Sequence, residues 1–210
     1  MPIYTRTLHK IMRHFRKARA RRILKCFPDI GEMNVLDLGG STHFWDAVGE
    51  ILKPRSLVIL NIAHDGTSVS RHDGRYTVEL YDGKRVPYDD KAFDLVICNS
   101  VIEHVPCDQR AQLAREIERV ARRHVVQTPA YEFPIEPHFV FPAIHWLPRK
   151  LGRKLVSLTP RGLGRAADAR RVFDGTVLLK RDELRGYFPR STLMVERCGG
   201  LPKSFLIVRT

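Results

Sequence analysis

The residues best suited to chemistry fall at the ends of short apolar runs. Asp37 is the last residue but one of the run Asn34-Val-Leu-Asp-Leu, which is followed at once by Gly39-Gly40. Paired glycines after an acid let the backbone approach a ligand closely, and the amides opening the next helix can donate hydrogen bonds to it. Asn61 stands near the end of Ser56-Leu-Val-Ile-Leu-Asn-Ile, about 20 residues beyond the glycines, where a ribose-binding side chain is expected. Asp82-Gly83 lies in the loop before Val86-Pro87-Tyr88, and Phe93-Asp-Leu-Val-Ile-Cys-Asn delivers Asn99 to the end of another run, with Glu103-His104 just beyond. If the nucleophile of a reaction is a hydroxyl, a histidine or carboxylate suits the removal of its proton, which makes Glu103 and His104 candidates. The segment Tyr131–Pro148 concentrates Glu136, His138, His145 and Trp146 among aromatics and prolines. Its prolines stiffen the loop and its aromatics can wall an apolar pocket. His138 is the third candidate catalytic residue.

These positions need elements that hold them together. Apolar runs 34–38, 56–62, 75–80, 92–98 and 124–128 alternate with helical spacing at 44–52 and 110–121. Strands alternating with helices, several of them apolar on both faces, predict a mostly parallel sheet covered on both sides. Ligands of such sheets bind at the carboxyl ends of the strands, which is where Asp37, Asn61 and Asn99 fall. The end of the chain differs. A short helix over 180–188 precedes runs 192–196 and 204–208 separated by Gly199-Gly200, an antiparallel pair. Residues 130–178 do not fit a βα unit and read as an insertion or lid shaping an acceptor site.

The stretches Val35–Gly40, Asp82–Asp94 and Asp94–Val105 together resemble a class I S-adenosylmethionine (SAM)-dependent methyltransferase of the methyltransferase type-11-like group. The resemblance covers residues 33–129 and extends to the terminal strand pair. It implies a Rossmann-like α/β fold with a seven-stranded, mostly parallel sheet, helices on both faces and an antiparallel last strand. It implies SAM as cofactor, with Asp37, Gly39 and Gly40 at the methionine end, Asn61 at the ribose hydroxyls, Asp82 and Gly83 at the adenine, and Asn99 on the methionine or methyl-transfer side. Two departures stand out. Ser41 occupies a position where the family commonly has another glycine, and Asn61 replaces the usual acid. An amide still offers an acceptor oxygen to a ribose hydroxyl but gives up a charge-assisted bond about twice as strong as a neutral one. The assignment also requires Phe44 and Trp45 to leave the hollow over the glycine turn open.

A dinucleotide-binding turn of the G-x-G-x-x-G type is not present; the run Gly39-Gly-Ser-Thr-His-Phe-Trp puts bulk where a pyrophosphate must approach. Hydride transfer is therefore a poor reading. Glu103, His104 and His138 can form an N/O metal set, but Asn99 stands where a further carboxylate is wanted, and no metal is expected.

The 210 residues carry a net charge of +13, unevenly spread. Residues 1–28 hold nine Lys/Arg and no acid, residues 29–147 are acidic overall, and residues 148–190 hold twelve Lys/Arg against four acids. The four cysteines are scattered without a CxxC pair, which argues against a zinc knuckle or disulfide scaffold and fits a reducing, cytoplasmic setting. No apolar run reaches the roughly 18 residues of a spanning helix. The chain is thus read as a basic amphipathic N-terminal helix over 1–28, its stripe Tyr4, Leu8, Ile11, Phe15 and Ala18 recurring at three and four, followed by a domain over 29–210. That helix can pack on the domain, lie on an anionic membrane surface or act as a presequence. The expected activity is methyl transfer, directed to an oxygen of a small-molecule, glycan or lipid-linked acceptor. A different class of function, a methyltransferase-fold binding module using its basic surface on membrane or RNA, is the alternative. Nucleic acid is an unfavoured partner, because no RNA-binding module and no regular basic–aromatic interleaving is present.

Overall fold

The computed structural model describes residues 3–62, 71–72 and 74–210, with side chains placed from residue 12 onward except at 71–72. The chain divides into two compact units. The first comprises residues 1–99 and 116–125, the second residues 100–115 and 126–209.

The first unit opens with helix α1 (Ile3–Cys26). Its packed face holds Arg19, Ala20 and Ile23, continued by Phe27 beyond the helix end, all buried. It is a different face from the apolar stripe read in the sequence. Phe15 and Ala18 are only half-buried, and at about 100° per residue the packed face lies roughly a third of a turn round from theirs. The side chains of Tyr4, Leu8 and Ile11 lie outside the described residues. Ile23 and Phe27 are the bulkier anchors, and burying such side chains contributes about 1.5–3 kcal/mol each, so they decide which face turns inward.

Strand β1 (Asn34–Leu38) runs parallel to β2 (Ser56–Ile62) on one side and to β5 (Phe93–Asn99) on the other. Strand β4 (Thr77–Tyr81) continues the parallel set beyond β2, and the two-residue β3 (Arg71–His72) pairs antiparallel at the edge. The central strands read Val, Leu and Ile on both faces because both faces are covered: Val35, Leu36, Ile59, Leu60, Leu95 and Val96 are fully buried. Helix α2 (Thr42–Val48) follows the glycine turn and buries Phe44, Trp45 and Val48.

In the second unit, α3 (Arg110–Val120) leads into β6 (Ala121–Pro129); both elements extend into the first unit. Residues 130–178 form a hairpin, β7 (Ile135–Glu136) with β8 (Phe141–Pro142), then α4 (Arg149–Leu155) and α5 (Ala166–Asp174). It has a core of its own in Phe139, Ile144, Val156, Ala169 and Phe173. Helix α6 (Arg181–Tyr187) precedes the antiparallel pair β9 (Thr192–Cys198) and β10 (Leu201–Arg209). The fully buried Arg110 fastens this unit. It donates to the carbonyls of Val105 and Val177 and to Glu183 at 2.9 Å, which satisfies its charge without water.

The strand order is β3-β4-β2-β1-β5-β6-β10-β9. The seven expected strands are present, and β3 makes an eighth. This is a Rossmann-like arrangement, with an antiparallel pair at its end.

Candidate functional site

The first unit places seven of the predicted residues, Asp37, Gly39, Gly40, Asn61, Asp82, Gly83 and Asn99, at the carboxyl ends of its strands or in the loops that follow. Gly39 leaves β1 with φ 73° and its N–H bonds the Leu60 carbonyl at 2.7 Å. The turn is thereby pinned to β2. At Gly40 a Cβ would stand 1.7 Å from Asp37 Oδ2, so no larger residue fits over that carboxyl.

Asp37 is fully buried, and its Oδ2 accepts the Trp45 indole N–H at 2.7 Å. Burial drives its pKa up to about 7, against the lowering effect of the Trp45 bond. Its Oδ1 is buried and has no hydrogen-bond partner. Trp45 and Phe44 both turn inward, and Trp45 engages one carboxyl oxygen while the other is left for a donor.

Asn61 gives its Nδ2–H to the Gly40 carbonyl at 2.7 Å. A carbonyl can only accept, so the amide nitrogen faces the turn and Oδ1 remains an acceptor. The departure from an acid here has a physical reason: a carboxylate in this position would repel the Gly40 carbonyl that the amide ties down. Asn99 has the complementary arrangement, its Oδ1 accepting from Arg19 Nη1 at 2.6 Å. Asn99 is thus oriented by α1, with its own Nδ2 left as the donor.

At the far end, Asp82 Oδ1 accepts the Lys84 N–H and shapes the Gly83 turn, where φ is 77°. The Ile62 side chain is 51% exposed, although it follows Asn61 on β2 and lies against Gly83, where a Cβ would meet it at 3.2 Å. An exposed aliphatic plate beside an exposed carboxylate suits a flat heteroaromatic ring with an amino group.

Sequence reasoning missed Arg19, Trp45 and Ile62 as part of this site. Arg19 had a signal, since it sits within the 3–4 spacing of Ala20, Ile23 and Phe27. Ile62 had none, because its exposure depends on the strand ending where it does.

The three catalytic candidates come together in the second unit. One ligand-capable atom from each of Glu103, His104 and His138 lies within 4.8 Å of the others. Glu103 is fully buried and its Oε2 accepts from Thr128 at 3.0 Å. His138 Nδ1 lies 2.6 Å from Glu136 Oε1, and the other Glu136 oxygen accepts the Phe139 N–H. His104 is exposed, and its ring meets that of His138 edge to face at 4.8 Å. Burial of part of its ring and the neighbouring His138 lower the His104 pKa to about 4, with smaller contributions from Gly175, Glu136 and Arg161. For His138, burial disfavours the charged form, but the Glu136 bond and the charges of Glu136 and Glu103 outweigh it and raise the pKa.

A cavity of about 160 Å³ lies in the same unit, lined by Tyr131, Glu136, Phe139, His145, Phe173 and Leu178 among others. His145 Nε2 sits 2.9 Å from the Tyr131 carbonyl and must donate to it. Its Nδ1 is therefore an acceptor, buried and without a partner.

The cofactor test rests on these groups. An orphaned carboxyl oxygen at Asp37, an orienting amide at Asn61, the glycine cradle and the Ile62–Asp82 pair offer, in order, an acceptor for an ammonium, one for a ribose hydroxyl and a seat for an adenine. The donor set fits an adenosyl amino acid.

Residues 38–126 match the family model described as a methyltransferase domain. Among solved structures, the chain is similar to a SAM-dependent methyltransferase from Archaeoglobus fulgidus, at 14% identity and a TM-score of 0.60, covering 99% of each chain. It is also similar to magnesium protoporphyrin IX methyltransferase from Synechocystis PCC 6803, solved with bound SAH, at 12% identity and a TM-score of 0.57, covering 100% of this chain and 89% of that one. At these identities the likeness is one of fold. No curated protein matches the sequence significantly.

Proposed function

We propose that the chain, whose residues 38–126 match a methyltransferase domain on a fold shared with SAM-dependent methyltransferases, is itself a SAM-dependent methyltransferase, and that its acceptor is a hydroxyl oxygen of a small-molecule, glycan or lipid-linked compound. SAM supplies an electrophilic methyl on a sulfonium, a chemistry that asks the protein mainly for placement of the two reactants. The protein's own residues do the rest. Asp37 Oδ1 accepts from the cofactor's ammonium, Asn61 Oδ1 from the ribose, and Asp82 from the adenine amino group, with Gly39, Gly40 and Gly83 allowing close backbone approach and Ile62 under the ring. Asn99, held by Arg19, presents a donor at the methionine end.

The observation that supports an oxygen acceptor is the tethering of His138 by Glu136. A carboxylate only accepts, so His138 Nδ1 carries the proton and Nε2 is the ring atom available to a hydroxyl. Glu103 and His104 complete the group that removes the proton. The cavity beside Glu136, apolar with His145 Nδ1 as an acceptor, suits a compact hydroxylated ring or the head of a longer acceptor. The test is transfer of labelled methyl from SAM across a panel of hydroxylated acceptors. His138→Ala should lower kcat by about 10²–10⁴-fold, the usual worth of a general base, without weakening SAM binding. Transfer to nitrogen or carbon acceptors alone would overturn the oxygen assignment.

Among the described residues no helix is long and apolar enough to cross a membrane. The exposed Met12, Arg13 and Arg21 of α1 support a peripheral contact with anionic lipid, where basic residues are attracted and apolar ones insert. Flotation with anionic liposomes, lost on deleting residues 1–15, checks it.

A further inference from the structure

We propose that α4 and the turn after it dock on the surface of an anionic lipid bilayer. Residues 149–165 carry six Lys/Arg and no acid. Three leucines of this stretch stand in solvent: Leu151 is 45% exposed, Leu158 67% and Leu163 68%. Apolar side chains this open, set among cations, contribute nothing to packing within the unit.

A built turn displays them. Leu151 and Leu158 are seven residues apart on α4 and the 3-10 turn Val156–Leu158 that continues it, a spacing of two helical turns that returns to one side. Beyond them, the buried Thr159 donates its hydroxyl to the Val156 carbonyl at 2.7 Å and accepts the Gly162 N–H at 3.2 Å. Gly162 is pressed so closely on this turn that a Cβ would stand 2.0 Å from the Val156 carbonyl oxygen. The backbone of Leu163 is thereby folded back beside Ser157 and Leu158. The inner side of the same segment packs Val156 with Ala169 and Phe173, which holds the outer side in place.

The charges leave room for an external anion. Arg153 pairs with Asp174 at 2.8 Å and Arg161 with Asp168 at 3.5 Å, while Arg149 donates to the Phe173 and Asp174 carbonyls. Lys150, Lys154 and Arg165 are exposed and, among the described residues, form no ion pair. Lys150 and Lys154, four residues apart, share one flank of α4. A nucleic acid would engage these cations but leave the aliphatic tips unused, because bases stack on aromatic faces. A bilayer with anionic headgroups uses both, with cations at the phosphates and leucines set into the acyl boundary.

This surface adds to the lipid contact proposed for α1 and does not depend on it. It bears on the acceptor through Gly152 of α4, where a Cβ would stand 2.6 Å from Phe173 Cζ, and Phe173 also lines the cavity. The outer side of α4 thus meets lipid while its inner side backs the cavity. Resting on the acceptor reading above, that arrangement favours a lipid-linked compound over a soluble one.

The test is flotation of the full chain with vesicles of phosphatidylglycerol and phosphatidylcholine in equal parts, against vesicles of phosphatidylcholine alone. We expect binding to the anionic vesicles only, weakening as salt is added. Leu158→Ser combined with Leu163→Ser should weaken binding by about tenfold per leucine. Lys150→Gln combined with Lys154→Gln should weaken it by about fivefold per charge. Melting temperatures matching the parent's establish that both variants fold. Binding undiminished in the leucine variant overturns the surface, and so does a parent chain that does not float. Retention of a single-stranded RNA oligonucleotide without flotation assigns the cations to nucleic acid and overturns it too. Flotation that survives deletion of residues 1–15 but not the leucine changes upholds this surface and sinks the α1 contact; the opposite pattern does the reverse, and loss in both upholds both. Flotation requires no methyl transfer, so its outcome is separate from that of the methyltransferase reading.

Discussion

The Asn61 amide holds the Gly40 carbonyl at 2.7 Å, so this side chain braces the glycine turn. Asn61→Asp should therefore destabilise the first unit, since it puts a carboxylate against a carbonyl and removes the donor. The expected loss is about 1–3 kcal/mol, the cost of an unsatisfied buried partner, read by urea unfolding. Unchanged stability would mean the contact does not hold the turn.

Arg19 and Asn99 lie 80 residues apart and meet at 2.6 Å. Arg19→Met keeps much of the buried aliphatic stem but removes the donor. Asn99 then loses its orientation, and the SAM dissociation constant should rise about tenfold, the equivalent of one ordinary net hydrogen bond. Calorimetric titration with SAM measures it. An unchanged constant would leave Arg19 as a packing residue only.

Asp37 gives a pH dependence with a definite sign. Its pKa of about 7 in the folded state, raised by burial, exceeds the unfolded value near 3.9. The folded state thus keeps a proton that the unfolded chain has released, and stability from this group falls as pH rises from about 4 to 7, then levels off. The loss is about 4 kcal/mol. Asp37→Asn removes it, so the variant should gain stability relative to the parent at pH 8 compared with pH 5, and lose SAM affinity at both. Parallel pH slopes for the two proteins would contradict the burial argument.

Arg110 is fully buried and bonds Val105, Val177 and Glu183. Arg110→Met fills similar space but orphans two carbonyls and half-releases Glu183. A loss of about 3 kcal/mol is expected, visible as a lower melting temperature. Glu183→Gln should cost less, because Glu183 reaches solvent and the carbonyl bonds remain.

Much of this protein could be read from local pattern. The run Asn34–Leu38 is apolar on both faces and ends in glycines, so a buried strand and a close turn follow from those residues alone. The same holds for β2, β5 and the terminal pair, whose neighbours set their periodicity. Glu103 and His104 were legible as candidates because they directly follow a strand end. Other features belong to the tertiary structure. Periodicity marked an apolar stripe on α1 that includes Phe15 and Ala18, whereas the buried face among the described residues holds Arg19, Ala20 and Ile23, because the helix end is anchored by Phe27. The Arg19–Asn99 bond, the gathering of His138 with residues 34 and 35 positions earlier, and the contact of Thr176 with His104 all join distant segments. Spacing along a chain governs groups within a turn or a strand of each other. Beyond that reach, only the closing of the fold decides which side chains meet and which lone pair each has left to offer.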